Sequence, residues 1–363
     1  MAPEILAINP GSTSTKIAWF SGNERLWQET VNHDPKEISS FSKVADQYEF
    51  RMKAIEDACR ANGSDLDSLL DAVVGRGGIL DPIPGGTYRV DEGLISDLRR
   101  GKPWEHASNL GGIIADAIAR PRNIPAFIVD PVAVDELDDI SRLTGLPELP
   151  KRSLGHALNI KATVRMAAED LGKPWDELDV IVAHLGGGIT VCAHRHGRMV
   201  DLNNANEFGP FSPERAGGLP AGDLARLCFN GSFTMEGLRK RIVGNGGLKA
   251  YLGTSDMREV SSRVDAGDRN ADLVYRAMAL QISKEIASFA ATFSGKVDAV
   301  ILTGGIAHDV SFVGLITSRV QWIAPVLVYP GEDEMRALAQ GALRVLSGQE
   351  EALVYRDSVL RRA

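Results

Sequence analysis

Cysteine is scarce in this sequence and cannot form a framework: Cys59, Cys192 and Cys228 are odd in number, far apart and outside any C-x-x-C spacing. That excludes a disulfide scaffold, a cysteine zinc cluster and a dithiol redox motif, and fits a reducing cytoplasm. No uninterrupted apolar run is long enough for a membrane helix, and the start "MAPEILAINPG" lacks a basic region followed by an apolar export segment, so a cytoplasmic protein is expected. Positive charge is also in deficit, 40 Lys and Arg against 48 Asp and Glu, a net −8. This disfavours a general affinity for nucleic acid or an acidic membrane but leaves room for a local cationic site. Two familiar nucleotide signatures are missing as well. "NPGSTSTK" lacks the first glycine of a P-loop, and "GRGGIL" at 75–80 does not make G-x-G-x-x-G, which argues against P-loop and Rossmann enzymes.

With 44% apolar and 24% charged residues, the 363-residue chain has the composition of a globular protein and the length of two domains. Three segments share one design, an apolar strand entering a glycine-containing polar turn: "ILAINPGSTSTKIAWF" at 5–20, "DVIVAHLGGGITVCAHRHGRMVD" at 179–201 and "VDAVILTGGIAHD" at 297–309. The first two run on into a second strand as a hairpin does, about half a chain apart, as two related halves would. Apolar spacing predicts helices near 46–61, 108–120, 157–171, 271–294 and 334–347. The Pro- and Gly-containing stretch "LTGLPELPKRSLGHALN" is the expected crossing between domains, giving an α/β chain divided as 1–150 and 151–334.

A hairpin needs only one or two residues that tolerate positive φ, so four consecutive hydroxyls, Ser12 to Thr15, followed by Lys16, exceed what turn chemistry demands. Such turns offer N–H groups and hydroxyls to an anion, and glycines let a phosphate approach the backbone. Any one of them could be only a tight turn; three in one chain favour phosphate.

The arrangement resembles the acetate and sugar kinase, Hsp70 and actin (ASKHA) superfamily, with Asn9 where most branches carry aspartate. "INPGSTSTKIA" resembles in particular the butyrate kinase branch of the acetokinase family. The likeness runs nearly end to end through "VVGRGGIL", "PIPGGTY", "EHASNLGG", "IVDPVAVDEL", "AHLGGGIT", "GPFSPERAGGLP", "LTGGIAHD" and "YPGEDEMRALAQGALRVL". It implies a two-domain ASKHA (actin-like ATPase, ribonuclease H-like) fold with an interdomain active-site cleft, the C-terminal helix, 335–363, returning to the first domain. It also implies ATP or ADP and Mg2+ as cofactors. Asn9, Ser12, Ser14 and Lys16, His184 with Gly186, Gly187 and Gly188, and Gly304 with Gly305 would hold the nucleotide.

A carboxylate is already ionised at neutral pH, so its phosphorylation needs no base, only cations and fixed donors to hold two anions together. Arg76 in "GRGG" and Arg215 in "SPERAGG" sit where a flexible backbone can present guanidinium forks, and the resemblance places both in the active site. It likewise implies that His156 contacts the phosphoryl group in transfer and that Asp130 orients an arginine or a metal-bound water; capping the following loop is Asp130's alternative. His106 and His184 are further candidates for ligand contact. The metal would take Asn9 and one acid of "GEDE", Glu332 or Asp333 before Glu334, part of that cluster being ordinary helix N-terminus chemistry. Gly155 stands where relatives carry a phenylalanine lining the acyl group, which, with Leu154, predicts a pocket for acids bulkier than acetate. The function expected is ATP-dependent phosphorylation of butyrate or another short or branched fatty acid. The partners expected are these small molecules and further copies of the chain, as a homodimer or larger homo-oligomer. A hydroxyl kinase or a nucleotide-dependent binding protein on the same fold are the alternatives.

Overall fold

The computed structural model describes residues 2–64, 66–67, 70–102 and 105–359. The chain forms two compact units, Met1–Asp135 with Asp333–Ala363, and Glu136–Glu332. The division falls earlier than the proline-rich stretch because Glu136 is already part of the second unit: its carboxylate pairs with buried Lys161 at 3.0 Å and accepts the Met199 N–H at 2.7 Å.

The first unit holds a six-stranded sheet. Its strands are β1 (Glu4–Pro10), β2 (Ser14–Ser21), β3 (Glu24–Asn32), β4 (Ala72–Arg76), β5 (Thr87–Arg89) and β6 (Ala126–Val129), in the order β3-β2-β1-β4-β6-β5. β1 and β2 are the expected hairpin, Asn9 opposite Lys16, and β1, β4 and β6 run parallel. Alternation sends Leu6, Ile8, Val73 and Ile128 into one core with helices Tyr48–Ala61 and Asn109–Ala119. Helix Glu334–Leu346 also packs on β1, β4 and β6, where Gly341 lets it close on Val129: a Cβ there would lie 2.5 Å from a Val129 methyl. That helix stops at Ser347, followed by Gly348 at φ +74°, so it is shorter than the 335–363 expected. Leu353 then bridges to Tyr88, and residues 360–363 lie outside those described.

The second unit repeats the plan. Strands β7 (Asp179–Leu185), β8 (Ile189–Arg195), β9 (Arg198–Leu202), β10 (Ala299–Gly304) and β11 (Val326–Pro330) lie in the order β11-β10-β7-β8-β9. An antiparallel trio is again extended by two parallel strands, matching β3-β2-β1-β4-β6. Helix Arg269–Phe289 packs its Val274, Met278, Ile282 and Ile286 against Ile181, Ala183, Val191 and Leu302. Helix Ala157–Leu171 packs on β7 and β10.

Candidate active site

In the first unit, a glycine crossing sets Arg76. A Cβ on Gly75 would lie 2.0 Å from the Gly111 carbonyl oxygen, and one on Gly111 2.2 Å from that of Arg76, so only glycines let helix Asn109–Ala119 cross β4 this closely. This is the physical content of "VVGRGG" and "NLGG". Arg76, buried at the strand end, points to Glu334, Nη1 to Oε1 at 2.8 Å in an ion pair outside hydrogen-bond alignment. The other Glu334 oxygen accepts from Asn9 Nδ2 at 2.6 Å. Glu334 therefore joins Asn9 to Arg76. Asp333 instead caps helix Glu334–Leu346 by accepting the Arg336 N–H and pairs with Arg25 at 3.1 Å. Glu332, in the second unit, approaches His184 Nε2 at 3.8 Å. So the acid that meets Asn9 is Glu334 rather than Glu332 or Asp333.

His106 is held below its ordinary pKa by desolvation and then by the Arg76 cation, and its Nδ1 meets Ser108 Oγ at 2.8 Å. Asp130, at the end of β6, takes φ +38°, a conformation Asp tolerates better than most residues. Its Oδ1 accepts the Gly86 N–H at 2.8 Å, so it anchors the "PIPGG" loop. In the first polar turn Ser12 and Lys16 are exposed and Ser14 half-buried, while Thr15 is fully buried. Sequence reasoning passed over Arg51, fully buried beneath this turn; its signal was an arginine in register with Ile55 and Cys59 on the apolar stripe.

In the second unit, helix Ala157–Leu171 begins at His156, whose Nδ1 lies 2.9 Å from Thr190 Oγ1. Its ring stacks on His184, centroids 3.9 Å apart and planes 14° from parallel. His184 Nδ1 lies 2.8 Å from Asn159 Oδ1. The "LGGGI" turn between β7 and β8 seats Arg215: a Cβ on Gly188 would lie 2.2 Å from its Nη1, and Ser212 Oγ donates to the Gly187 carbonyl at 2.6 Å. Among the described residues the Arg215 guanidinium has no hydrogen-bond or ion-pair partner; burial lowers its pKa, the neighbouring Glu214 opposing. Gly304, at φ +90°, packs on the Leu185 carbonyl and exchanges hydrogen bonds with Gly331, while Gly305 faces open space. Leu154 and Gly155 are half-buried. A Cβ on Gly155 would meet Thr190 Cγ2 at 3.0 Å and Leu202 Cδ1 at 3.5 Å, so those side chains occupy the space expected to be an open wall.

Among the described residues no three His, Cys, Asp or Glu side chains gather as a metal cage. The oxygen set that fits Mg2+ is Asn9 Oδ1 with Glu334, since this ion keeps most of its waters and takes one or two protein oxygens.

Two ribonuclease H-like sheets, each with glycine-rich turns at a strand end, define an ASKHA-type fold. The fold is shared with solved acetate and propionate kinases. The acetate kinase of Porphyromonas gingivalis matches with TM-score 0.78 and 19% identity, over 95% of this chain and 100% of that one. A propionate kinase from Francisella tularensis subsp. tularensis SCHU S4 matches with TM-score 0.72 and 19% identity, over 93% and 98%. The profile of the Acetokinase family matches residues 155–322. A probable butyrate kinase of Clostridium botulinum (strain Alaska E43 / Type E3) is 50% identical over 98% of this chain and its own full length, and butyrate kinase 2 of Clostridium acetobutylicum 49% over 97% and 99%. The chain belongs to the acetokinase family.

Proposed function

We propose that the protein transfers the γ-phosphoryl group of ATP to butyrate or a similar short or branched fatty acid, releasing ADP and an acyl phosphate by direct in-line displacement. The observation that carries this reading is Arg215: a half-buried, unpartnered cation against the Gly188 turn, in the unit that also stacks His156 on His184. The carboxylate attacks as it stands, so the site's work is electrostatic. Arg215 and Arg76 neutralise the two anions. His156, fixed by Thr190, donates a hydrogen bond to the phosphoryl group. Ser12, Ser14 and Lys16, the Gly186–Gly188 turn with His184, and Gly304 with Gly305 hold the nucleotide. Asn9 and Glu334 hold Mg2+, which when bound screens the phosphate charge. Asp130 acts through the loop it anchors. The nearly full-length identity to butyrate kinases supports the choice of acid.

Among the described residues no helix is long and apolar enough to cross a membrane, and all three cysteines are free, which supports work in the cytoplasm. Self-association is supported by helices Ala221–Phe229 and Met235–Ile242, which bury none of their residues and leave Phe229 90% and Met235 82% exposed. Trapping with hydroxylamine across acids from acetate to branched and aromatic tests the reaction. ATP-dependent hydroxamate should be greatest with butyrate or a branched neighbour. ATP turnover without hydroxamate from any acid would overturn the reading.

A further inference from the structure

Arg51 lies on helix Tyr48–Ala61 where the apolar stripe faces the core, yet it carries a permanent charge and is fully buried. Its fork meets the first polar turn from behind. Nη1 donates to the Ser14 carbonyl and to Thr15 Oγ1, both at 3.0 Å, and Nη2 to the Ser12 carbonyl at 3.2 Å. Gln47 Oε1 accepts the rest, from Nε at 3.1 Å and Nη2 at 3.0 Å. Every one of these acceptors is neutral, and among the described residues no carboxylate pairs with Arg51. Burial alone brings the guanidinium down to about 10. The nearby imidazole, His33, is kept below its ordinary pKa by burial and then by Arg51, so it adds no second cation there.

A buried cation with only neutral partners is expensive, and neutral donors could hold a turn's carbonyls without that expense. The charge gains a use when an anion sits on the turn's outer side, where Ser12 and Thr13 are exposed.

We infer that Arg51 is a positioning residue and the built-in counter-charge of the first turn. It draws the Ser12 and Ser14 carbonyls inward, leaving the Ser12, Thr13 and Ser14 hydroxyls to phosphate oxygens, and its field acts on that phosphate through the turn. This rests on the reading of the turn as a phosphate site.

The discriminating variant is Gln47→Glu. It keeps the acceptor geometry around Arg51 and sets a carboxylate beside it, cancelling the charge. In the full-length protein, titration with Mg·ADP and Mg·ATP should show affinity reduced at least fivefold, while the thermal midpoint holds or rises. A purely structural Arg51 predicts unchanged nucleotide affinity with the same melting behaviour, so unchanged affinity in a folded Gln47→Glu protein overturns the inference. Should that variant not fold, Arg51→Lys and Arg51→Met decide: the lysine form, charged but forkless, should bind Mg·ADP at least fivefold tighter than the methionine form, and equal affinities overturn the inference. Ser12→Asp tests the underlying reading separately, since a negative charge on the exposed turn should abolish nucleotide binding if phosphate sits there.

Discussion

Arg215 and Gly188 pack directly against each other although 27 positions separate them in the sequence. Removing a donor to developing transition-state charge typically costs 10²- to 10³-fold in turnover, so Arg215→Ala should fall by at least about 10²-fold with folding intact. Gly188→Ala should approach that loss without touching the arginine's chemistry, because the new methyl takes the space of the guanidinium, whose flexible stem can swing away. Steady-state kinetics with a thermal melt check both; a Gly188→Ala enzyme with normal kcat would remove the turn from the site. His156→Ala should lower kcat more than it raises the KM for ATP, as the proposed contact of the imidazole with the group in transfer requires. A change in KM alone would make it a binding residue. Arg76, Arg215 and His156 lie near glycines in the sequence, and the family resemblance is what marks them as site residues. Arg51 did not stand out, because a buried arginine within a helical pattern looks like one more solvated position until its fork is seen in three dimensions.

At the scale of elements, the start of helix Glu334–Leu346 separates two adjacent acids by task. Asp333→Ala removes the cap and the Arg25 pair, which should cost about 1 kcal/mol of stability with kcat nearly unchanged. Glu334→Gln keeps the helix but withdraws charge from Arg76 and Asn9, and should lower kcat at least tenfold while the melting temperature stays within a few degrees. Equal effects of the two on activity would cancel this division. Sequence reasoning could not assign "GEDE", because one residue's difference along the chain rotates a helical side chain by about 100° and only the docked helix fixes the phase. The five helices expected from periodicity are present, the one at 157–171 with its expected ends and the others with shifted ends, and so are both hairpins. Helices Ala221–Phe229 and Met235–Ile242, both short and with none of their residues buried, were not anticipated.

For the whole molecule, acid should be the weakness. His194 is fully buried in β8 with neither ring nitrogen hydrogen-bonded among the described residues, and burial holds its pKa well below 6.5, with Lys161 and Arg165 adding to the shift. His33 shifts the same way. Unfolded, these imidazoles take up protons near 6.5 while the folded chain refuses them. Stability is therefore full above that value and falls as pH drops below it, by at most about 1.4 kcal/mol per pH unit through His194 and by less through His33. Melting temperature should decline steeply from pH 6.5 to 5, and His194→Leu should flatten the decline; an unaltered slope would show that His194 does not report on acid.

The first unit is made of two stretches of chain, and the helix that closes it is translated after the whole of the second unit. About 200 residues of the second unit come off the ribosome between them, roughly 10 to 40 s at ordinary elongation rates. Throughout that interval β1, β4 and β6 lack the helix that packs on them, and Arg76 and Asn9 lack Glu334. On the proposed reading, catalytic competence waits for that helix. A nascent chain stalled before residue 333 is therefore expected to turn over no ATP and to leave uncovered the sheet face on which the helix packs.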